Sequence, residues 1–124
     1  MNLVDSSGWL EYFADTPNAS FFAPAIQAVS ELVVPSISLY EVFRRILQQK
    51  SEDEALRAVA FMMRGSVVDL TPPIALSAAI LSLRLRLPMA DSLMLATAQA
   101  YNATLWTQDA DFENIPGVRY VQKG

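Results

Sequence analysis

Short apolar runs alternate with helix-like stretches along the whole chain. In the helix-like stretches, apolar residues recur every three or four positions, as they do on the buried face of an α-helix. The runs between them lack polar alternation, which is typical of strands in a parallel sheet with helices on both faces. We therefore predict an α/β fold. The predicted strands are residues 2–4, 32–34, 67–68, 104–107 and 118–121.

Proline and capping residues predict where several helices begin and end. Ser51 and Glu54 look like the capping box that opens one helix. Another helix is expected over residues 71–87, where Pro88 ends it. The apolar residues predicted to face inward are Phe22, Ile26 and Val29 in the second helix and Leu39, Val42, Phe43, Ile46 and Leu47 in the third.

The length and composition indicate a single domain spanning residues 1–124. The sequence has no long polar stretch, and 52% of its residues are hydrophobic, with a mean hydropathy of +0.25. The longest apolar tract, residues 74–83, is shorter than the roughly 20 residues that a membrane-spanning helix needs. The N-terminus lacks the pattern of an export signal, and the chain has no cysteine. We therefore expect a cytoplasmic protein without a membrane segment.

The residue types that are absent narrow the chemistry. The chain has no histidine and no cysteine, which excludes imidazole and thiolate zinc sites, serine–histidine nucleophiles and histidine general bases. Thirteen acidic residues against nine basic ones give a formal net charge of −4. Such a chain is not expected to coat nucleic acid nonspecifically, so phosphate binding needs local arginines or a bound metal ion. Carboxylates remain as the abundant reactive groups.

Four acidic residues are predicted to converge at one edge of the sheet. Asp5 and Asp109 come after strands, and Glu41 lies in the helix after the second strand. Asp91 shares a helical stripe with apolar residues, where a carboxylate without a partner costs several kcal/mol. In parallel sheets, ligands bind beyond the carboxyl ends of the strands, where the strand order reverses. If the first and fourth strands are neighbours there, the four acids share one crevice.

Each of these acids also has an ordinary structural explanation. Asp5 fits the N-cap of the first helix, and Asp91 fits the favourable N-terminus of its own helix. Glu41 fits a capping box with Ser38, and Asp109 fits a cap on the turn that follows it. Taken together, these explanations leave the shared position of the acids after strand ends unexplained.

A cluster of carboxylates favours a bound hard cation. Two carboxylates about 5 Å apart repel each other by roughly 3 kcal/mol at an effective dielectric constant of about 20. Oxygen ligands without histidine or cysteine favour Mg²⁺ or Mn²⁺ over zinc or copper. Such an ion lowers the pKa of a bound water and orients it towards a phosphodiester. The pattern therefore predicts metal-dependent phosphodiester hydrolysis.

Four segments carry a family resemblance, and they occur in the order VDSSGWLEYF, VPSISLYEVFRRI, LPMADSLMLATA and LWTQDADFENIPGVRYV. With these segments, the chain resembles PIN-domain nucleases, in particular the VapC-type toxins of bacterial toxin–antitoxin pairs. The resemblance implies a three-layer α/β/α sandwich around a parallel sheet of four to five strands ordered 3-2-1-4-5. It further implies endoribonuclease activity on an RNA substrate, a homodimer and inhibition by a cognate antitoxin protein.

The resemblance also implies roles for individual residues. The metal ion, Mg²⁺ or alternatively Mn²⁺, would be bound by four acids, which are Asp5, Glu41, Asp91 and Asp109. Of these, Asp5 and Asp91 would be the most direct ligands. The hydroxyl groups of Ser6 and Thr107 would support the site, and Asp111 could supplement Asp109.

Three other classes of protein fit part of the pattern. A receiver-like signalling domain also binds Mg²⁺ through acids, but it expects adjacent acids after the first strand and a lysine after the last. A haloacid-dehalogenase-type phosphatase expects a second acid where this chain has Ser7. A noncatalytic protein-binding module would use the acids only as helix caps. Metal-dependent RNA cleavage separates that module from the nuclease interpretation.

Overall fold

The computed structural model describes residues 1–124 and contains five strands, six α-helices and two 3₁₀ turns. The strands are β1 (Asn2–Val4), β2 (Leu32–Pro35), β3 (Ser66–Val68), β4 (Thr104–Thr107) and β5 (Val118–Tyr120). The helices are α1 (Ser6–Ala14), α2 (Ala19–Gln27), α3 (Ser36–Gln49), α4 (Glu52–Met62), α5 (Pro72–Leu85) and α6 (Met89–Ala100). The 3₁₀ turns are Val29–Glu31 and Ala110–Phe112.

All five strands are parallel and follow the order β3-β2-β1-β4-β5, which confirms the predicted order. The central strand is β1, where Leu3 lies opposite Val33 of β2 and Leu105 of β4. The chain first builds the sheet outwards on one side of β1 and then crosses to the other side for β4. The carboxyl ends of β1 and β4 therefore lie side by side at the reversal point, where parallel α/β sheets bind ligands.

Each face of the sheet has its own core, because successive strand residues point to opposite faces. Val4 packs in one cluster with Trp9 of α1 and Phe22 of α2, and this cluster also includes buried residues of α3 and α4. Leu3 packs in the other cluster with Met94 of α6. Helices α1–α4 thus cover one face, and α5 and α6 cover the other. This arrangement is the predicted three-layer sandwich.

Helices α5 and α6 differ in how they bury their apolar residues. Residues 92–98 of α6 are all buried within the domain. In contrast, α5 exposes Leu76, Ile80 and Leu83 at helical spacing, which gives the protein an apolar outer stripe. No single helix is long and apolar enough to cross a membrane; the pair α5 and α6 reaches the necessary length and composition together, but bends by 118° between them.

Three details of the predicted helices are wrong. Helix α2 ends at Gln27, and Val29 is half-buried in a 3₁₀ turn, because the chain turns there towards β2. Leu47 is 45% exposed, because it lies to one side of the narrow stripe that α3 buries. The fifth helix stops at Leu85, since Arg86 adopts a left-handed conformation with a φ of 57°.

Candidate metal centre

Asp5 directly follows β1, and both of its carboxylate oxygens are held by donors. Its Oδ1 accepts hydrogen bonds from the Gly8 N–H and the Ser7 hydroxyl, each at 2.9 Å. Its Oδ2 accepts a hydrogen bond from the Thr107 hydroxyl at 2.5 Å. Asp5 is also the N-cap residue of α1, so the capping interpretation is confirmed. Because the residue is only 5% exposed, these bonds fix its carboxylate in one orientation.

Gly8 allows the first turn of α1 to lie close to the core. A Cβ at this position would lie 2.7 Å from carbon atoms of both Phe22 and Val4, which is closer than real contacts allow. The absence of a side chain therefore lets α1 pack against Phe22 while the Gly8 N–H reaches Asp5.

Thr107 connects Asp5 to the acidic residues that follow β4. Because β4 pairs with β1 in parallel, the last residue of β4 lies beside the end of β1. The Thr107 hydroxyl donates to Asp5 and accepts a hydrogen bond from the Asp109 N–H at 3.0 Å. Asp109 in turn caps a 3₁₀ turn, because its Oδ1 accepts a hydrogen bond from the Asp111 N–H at 2.9 Å. The capping interpretation of Asp109 is therefore also confirmed.

Asp91 lies in the first turn of α6 and approaches two other carboxylates without a basic partner. One carboxylate oxygen each of Asp91, Asp109 and Asp111 lies within 4.8 Å of the other two. We call these three residues the acidic cluster. The one ion pair in the chain joins Lys50 Nζ to Glu54 Oε2 at 3.9 Å, so no lysine or arginine forms an ion pair with the cluster.

The environment of Asp91 disfavours its ionised form. Desolvation, together with repulsion from Asp109, Asp5 and Asp111, raises the pKa of Asp91 to about 7. Burial also raises the pKa of Asp5, although its three hydrogen-bond donors oppose this shift. A divalent cation would relieve this strain, since it neutralises the carboxylates.

The chemistry of the ligands fits a hard cation. The acidic cluster offers carboxylate oxygens, and the chain contains no imidazole or thiolate that could join them. Oxygen-only sites favour Mg²⁺, Mn²⁺ or Ca²⁺ over zinc and copper. The residues present therefore suit the kind of ion that the sequence predicted.

Glu41 is joined to the start of α1 and not to the start of its own helix. The Ser6 hydroxyl donates a hydrogen bond to Glu41 Oε1 at 2.6 Å. The Ser38 hydroxyl instead contacts the Met94 sulfur at 3.5 Å. The interpretation of Ser38 and Glu41 as a capping box is therefore wrong. Glu41 does not belong to the acidic cluster, and its connection to Asp5 runs through the neighbouring Ser6.

The predicted site residues thus fall into three groups. The acidic cluster contains Asp91, Asp109 and Asp111; Asp5 and Thr107 form a hydrogen-bonded pair next to it; and Glu41 is paired with Ser6. The Gly8 N–H was not among the predicted site groups, although its position three residues after an N-cap acid is a signal for this hydrogen bond. The buried Gln108 was not predicted either, because its side-chain partners lie 90 and 97 positions away in the chain.

A groove of about 770 Å³ opens between α1, α3 and α4. Its lining includes Ser7 and Gln108, which adjoin the site residues Asp5 and Asp109. The apolar side chains that line it include Leu10, Phe13, Ile46 and Phe61. The charged side chains that line it are Arg45, Lys50, Arg57 and Lys123 against Glu11 and Glu54. The groove therefore carries a net positive charge on a protein whose overall charge is −4.

Comparison with protein families agrees with this fold. The model of the PIN domain family matches residues 3–118, a range that contains all the acidic residues of the site. The chain belongs to the PIN domain family. Within this PIN domain, the matched range runs from the central strand β1 to the start of β5. None of the curated proteins compared with the PIN domain matches it significantly.

Solved structures share the fold of this PIN domain over nearly its whole length. A chain of a toxin–antitoxin complex from Klebsiella pneumoniae is 24% identical, with a TM-score of 0.80 and 96% of each chain covered. A chain of DNA-bound VapBC from Salmonella typhimurium is 19% identical, with a TM-score of 0.74 and 98% of each chain covered. The Mycobacterium tuberculosis toxin VapC20, described as cleaving the sarcin–ricin loop, is 14% identical, with a TM-score of 0.76 and coverage of 94% and 95%.

Proposed function

We propose that this PIN domain, as a single domain spanning residues 1–124, is a metal-dependent endoribonuclease. The observation that carries the proposal is the acidic cluster, whose three carboxylates lie within 4.8 Å of one another without a basic partner. Membership of the PIN domain family supports the proposal, as does the similar fold of VapC20, a toxin described as cleaving the sarcin–ricin loop.

The proposed ion is Mg²⁺, with Mn²⁺ as an alternative. When bound, it would neutralise the carboxylates and activate a water molecule for phosphodiester hydrolysis. The acids proposed to hold it are Asp5, Glu41, Asp91 and Asp109, supplemented by Asp111. Thr107 and Ser6 act as positioning residues, because their hydroxyls donate to Asp5 and Glu41 respectively. Oriented carboxylates favour binding, since the ligands lose less freedom when the ion arrives.

We further propose that the nuclease is the toxin of a type II toxin–antitoxin pair. The similar structures include chains of toxin–antitoxin complexes from Klebsiella pneumoniae and Salmonella typhimurium. The groove between α1, α3 and α4 fits an antitoxin segment, because an amphipathic helix can place apolar anchors against Phe13 and Phe61. Acidic residues on such a helix would complement Arg45 and Arg57. Loss of RNA cleavage on adding the product of the neighbouring gene would test this role.

The proposed enzyme is a homodimer. Support comes from the apolar outer stripe of α5, where Leu76, Ile80 and Leu83 are 69%, 55% and 86% exposed. A row of large apolar side chains on a surface helix is typical of a protein interface. Light scattering on the purified protein should give about twice the chain mass of 13.7 kDa.

RNA cleavage by purified variants tests the nuclease proposal. The wild-type protein should cut an end-labelled RNA in Mg²⁺ or Mn²⁺ but not in excess EDTA. Asp91→Asn and Asp109→Asn should each reduce the cleavage rate by at least about 100-fold, because each removes an ionised group that acts on the reacting centre. Asp15→Asn is the matched control, since Asp15 is exposed at the end of α1 and outside the site.

Two results would contradict the nuclease proposal. One is cleavage by Asp91→Asn at the wild-type rate, and the other is cleavage that persists in EDTA. All proteins must be purified identically, so that a contaminating ribonuclease would appear equally in the wild type, the variants and the control.

A further inference from the structure

Gln108 is a buried polar residue for which the proposed function assigns no role. It is 6% exposed and lies between Thr107, which donates to Asp5, and Asp109 of the acidic cluster. A glutamine side chain at such a position must find hydrogen-bond partners, because burying an amide without them is unfavourable. The hydrogen-bond partners of Gln108 therefore show which parts of the domain this side chain connects.

The side chain of Gln108 bonds to one residue in α1 and to one in the loop after this helix. Its Oε1 accepts a hydrogen bond from Asn18 Nδ2 at 3.0 Å, and its Nε2 donates to Glu11 Oε2 at 3.4 Å. Glu11 also accepts a hydrogen bond from the Asn18 N–H through Oε1 at 3.2 Å. The side chains of Gln108, Glu11 and Asn18, together with the Asn18 N–H, therefore form a closed set of hydrogen bonds, which we call the tether.

The tether joins three distant parts of the chain. Asn18 Nδ2 also donates to the backbone oxygen of Gln122 at 3.0 Å, so the segment after β5 is included. Glu11 is the charged member of the set. Desolvation alone would raise the pKa of Glu11, but hydrogen bonds from Thr16, Asn18 and Gln108 hold this pKa below its usual range. Hydrogen bonds to an ionised group are stronger than those between neutral groups.

The segment that carries Asp109 and Asp111 needs such an anchor. Gln108 and Asp109 lie outside regular secondary structure, between β4 and a 3₁₀ turn. The far end of this segment is fixed by Phe112, which is fully buried. At the near end, the side chain of Gln108 joins the segment to α1 and to the loop after it, next to the hydrogen bond from Thr107 to Asp5.

We propose that Gln108 is a positioning residue, which fixes Asp109 and Asp111 for cation binding through its hydrogen bonds to Asn18 and Glu11. The proposal rests on the proposed metal site. Gln108 does not touch the ion or the substrate in this role. It restricts the backbone on which two of the ligands are carried, and outer partners of metal ligands typically change metal affinity by about 10-fold to 100-fold when they are removed.

Direct binding of Mn²⁺ tests the proposal without relying on catalysis. The free-ion signal in electron paramagnetic resonance gives the Kd of Mn²⁺ for each purified protein. Gln108→Met keeps the length of the side chain and removes both hydrogen bonds. We expect it to raise the Kd by about 10-fold, the lower end of the range for outer partners. Gln27→Met is the matched control on an exposed surface, and its Kd should equal that of the wild type.

A second variant separates positioning from general stability. Asn18→Ala removes the other main member of the tether at a half-buried position, and it should also raise the Kd. Because both changes break the same set of hydrogen bonds, the double variant should lose less affinity than the product of the two single effects. A lower melting temperature with an unchanged Kd in both variants would overturn the proposal, since it would mean a structural role only.

The failures of the two proposals are distinguishable. If the wild type binds Mn²⁺ but cuts no RNA, the nuclease proposal fails, while the Kd values still decide the role of Gln108. If the wild type does not bind Mn²⁺ at all, the metal site and the role of Gln108 fail together.

Discussion

Asp5 is buried and Asp91 is half-buried at the same edge of the sheet, yet their surroundings are opposite. Both oxygens of Asp5 accept hydrogen bonds, from Ser7, Gly8 and Thr107. The neighbours of Asp91 are carboxylates. Desolvation and repulsion from acids such as Asp109 raise the pKa of Asp91 to about 7. The carboxylate of Asp5 thus has its hydrogen-bond donors without an ion, whereas the carboxylate of Asp91 lies among groups that repel it.

The comparison shows how a fold can hold charges that repel each other. The donors around Asp5 belong to α1 and β4, so the same bonds that orient this acid also join two elements of the domain. The acidic cluster contributes no such bonds between elements and costs stability when it is ionised. The site therefore combines a half that hydrogen bonds stabilise with an unfavourable half that a bound cation would stabilise.

The largest expected effect on stability is that of Thr107→Val. The change keeps the shape of the side chain but leaves Asp5 Oδ2 and the Asp109 N–H without their partner. We expect the free energy of unfolding in metal-free buffer to fall by about 1–3 kcal/mol, the usual cost of an unsatisfied buried group. Urea titration followed by circular dichroism measures this change.

Thr104→Val on the same strand is the matched control for Thr107→Val. Thr104 makes no side-chain hydrogen bond, and its substitution should change the free energy of unfolding by less than about 0.5 kcal/mol. Equal effects of the two substitutions would mean that the hydroxyl of Thr107 has no special role in holding Asp5.

Asp91→Asn should have the opposite sign. Removing the charge relieves the repulsion within the acidic cluster, so the metal-free protein should become more stable. Because Asp91 is half-exposed and solvent screens its charge, we expect a gain of only about 1–2 kcal/mol at neutral pH. The same urea titration applies, with Asp15→Asn as the control. A loss of stability in Asp91→Asn would contradict the description of the cluster as strained.

The dependence of metal-free stability on pH has the same source as the effect of Asp91→Asn, and the two effects should be of similar size. The pKa of Asp91 is about 7 in the folded protein and 3.8 without the fold, so folded molecules bind the proton more tightly. Stability should therefore decline as the pH rises from about 4 to about 7, and should level off above that. Asp5 acts in the same direction, because burial raises its pKa. The decline should be smaller in Asp91→Asn, and equal declines would exclude Asp91 as its main source.

Much of the fold could be predicted because its signals are local. Apolar runs without alternation predicted the strands, and the acids after the first and fourth strands predicted where a ligand would bind. The strand order was predicted from family resemblance and not from periodicity. The sequence of a single strand does not indicate which distant strand pairs with it. The prediction that Val29 belongs to α2 was wrong for a related reason, because the path of the chain into β2 determines where α2 ends.

The site was harder to predict than the fold. The capping box of Ser38 and Glu41 matched a sequence rule, but the Ser6 hydroxyl is the observed partner of Glu41. A competing partner from another helix cannot be read from local spacing. Gln108 shows the same limit more strongly, because its role depends on Asn18 and Glu11, which only the folded chain brings near. Whether Asp5, Glu41, Asp91 and Asp109 all bind the ion stays a prediction.

The hydrogen bond between Asp5 and Thr107 has a consequence for synthesis of the protein. Its two ends are 102 positions apart, and β4 must pair with β1 before they can meet. Translation must therefore continue past β4 before this hydrogen bond can form, so a nascent chain cannot assemble the centre earlier. Any product that stops before β4 leaves Asp5 Oδ2 without its donor.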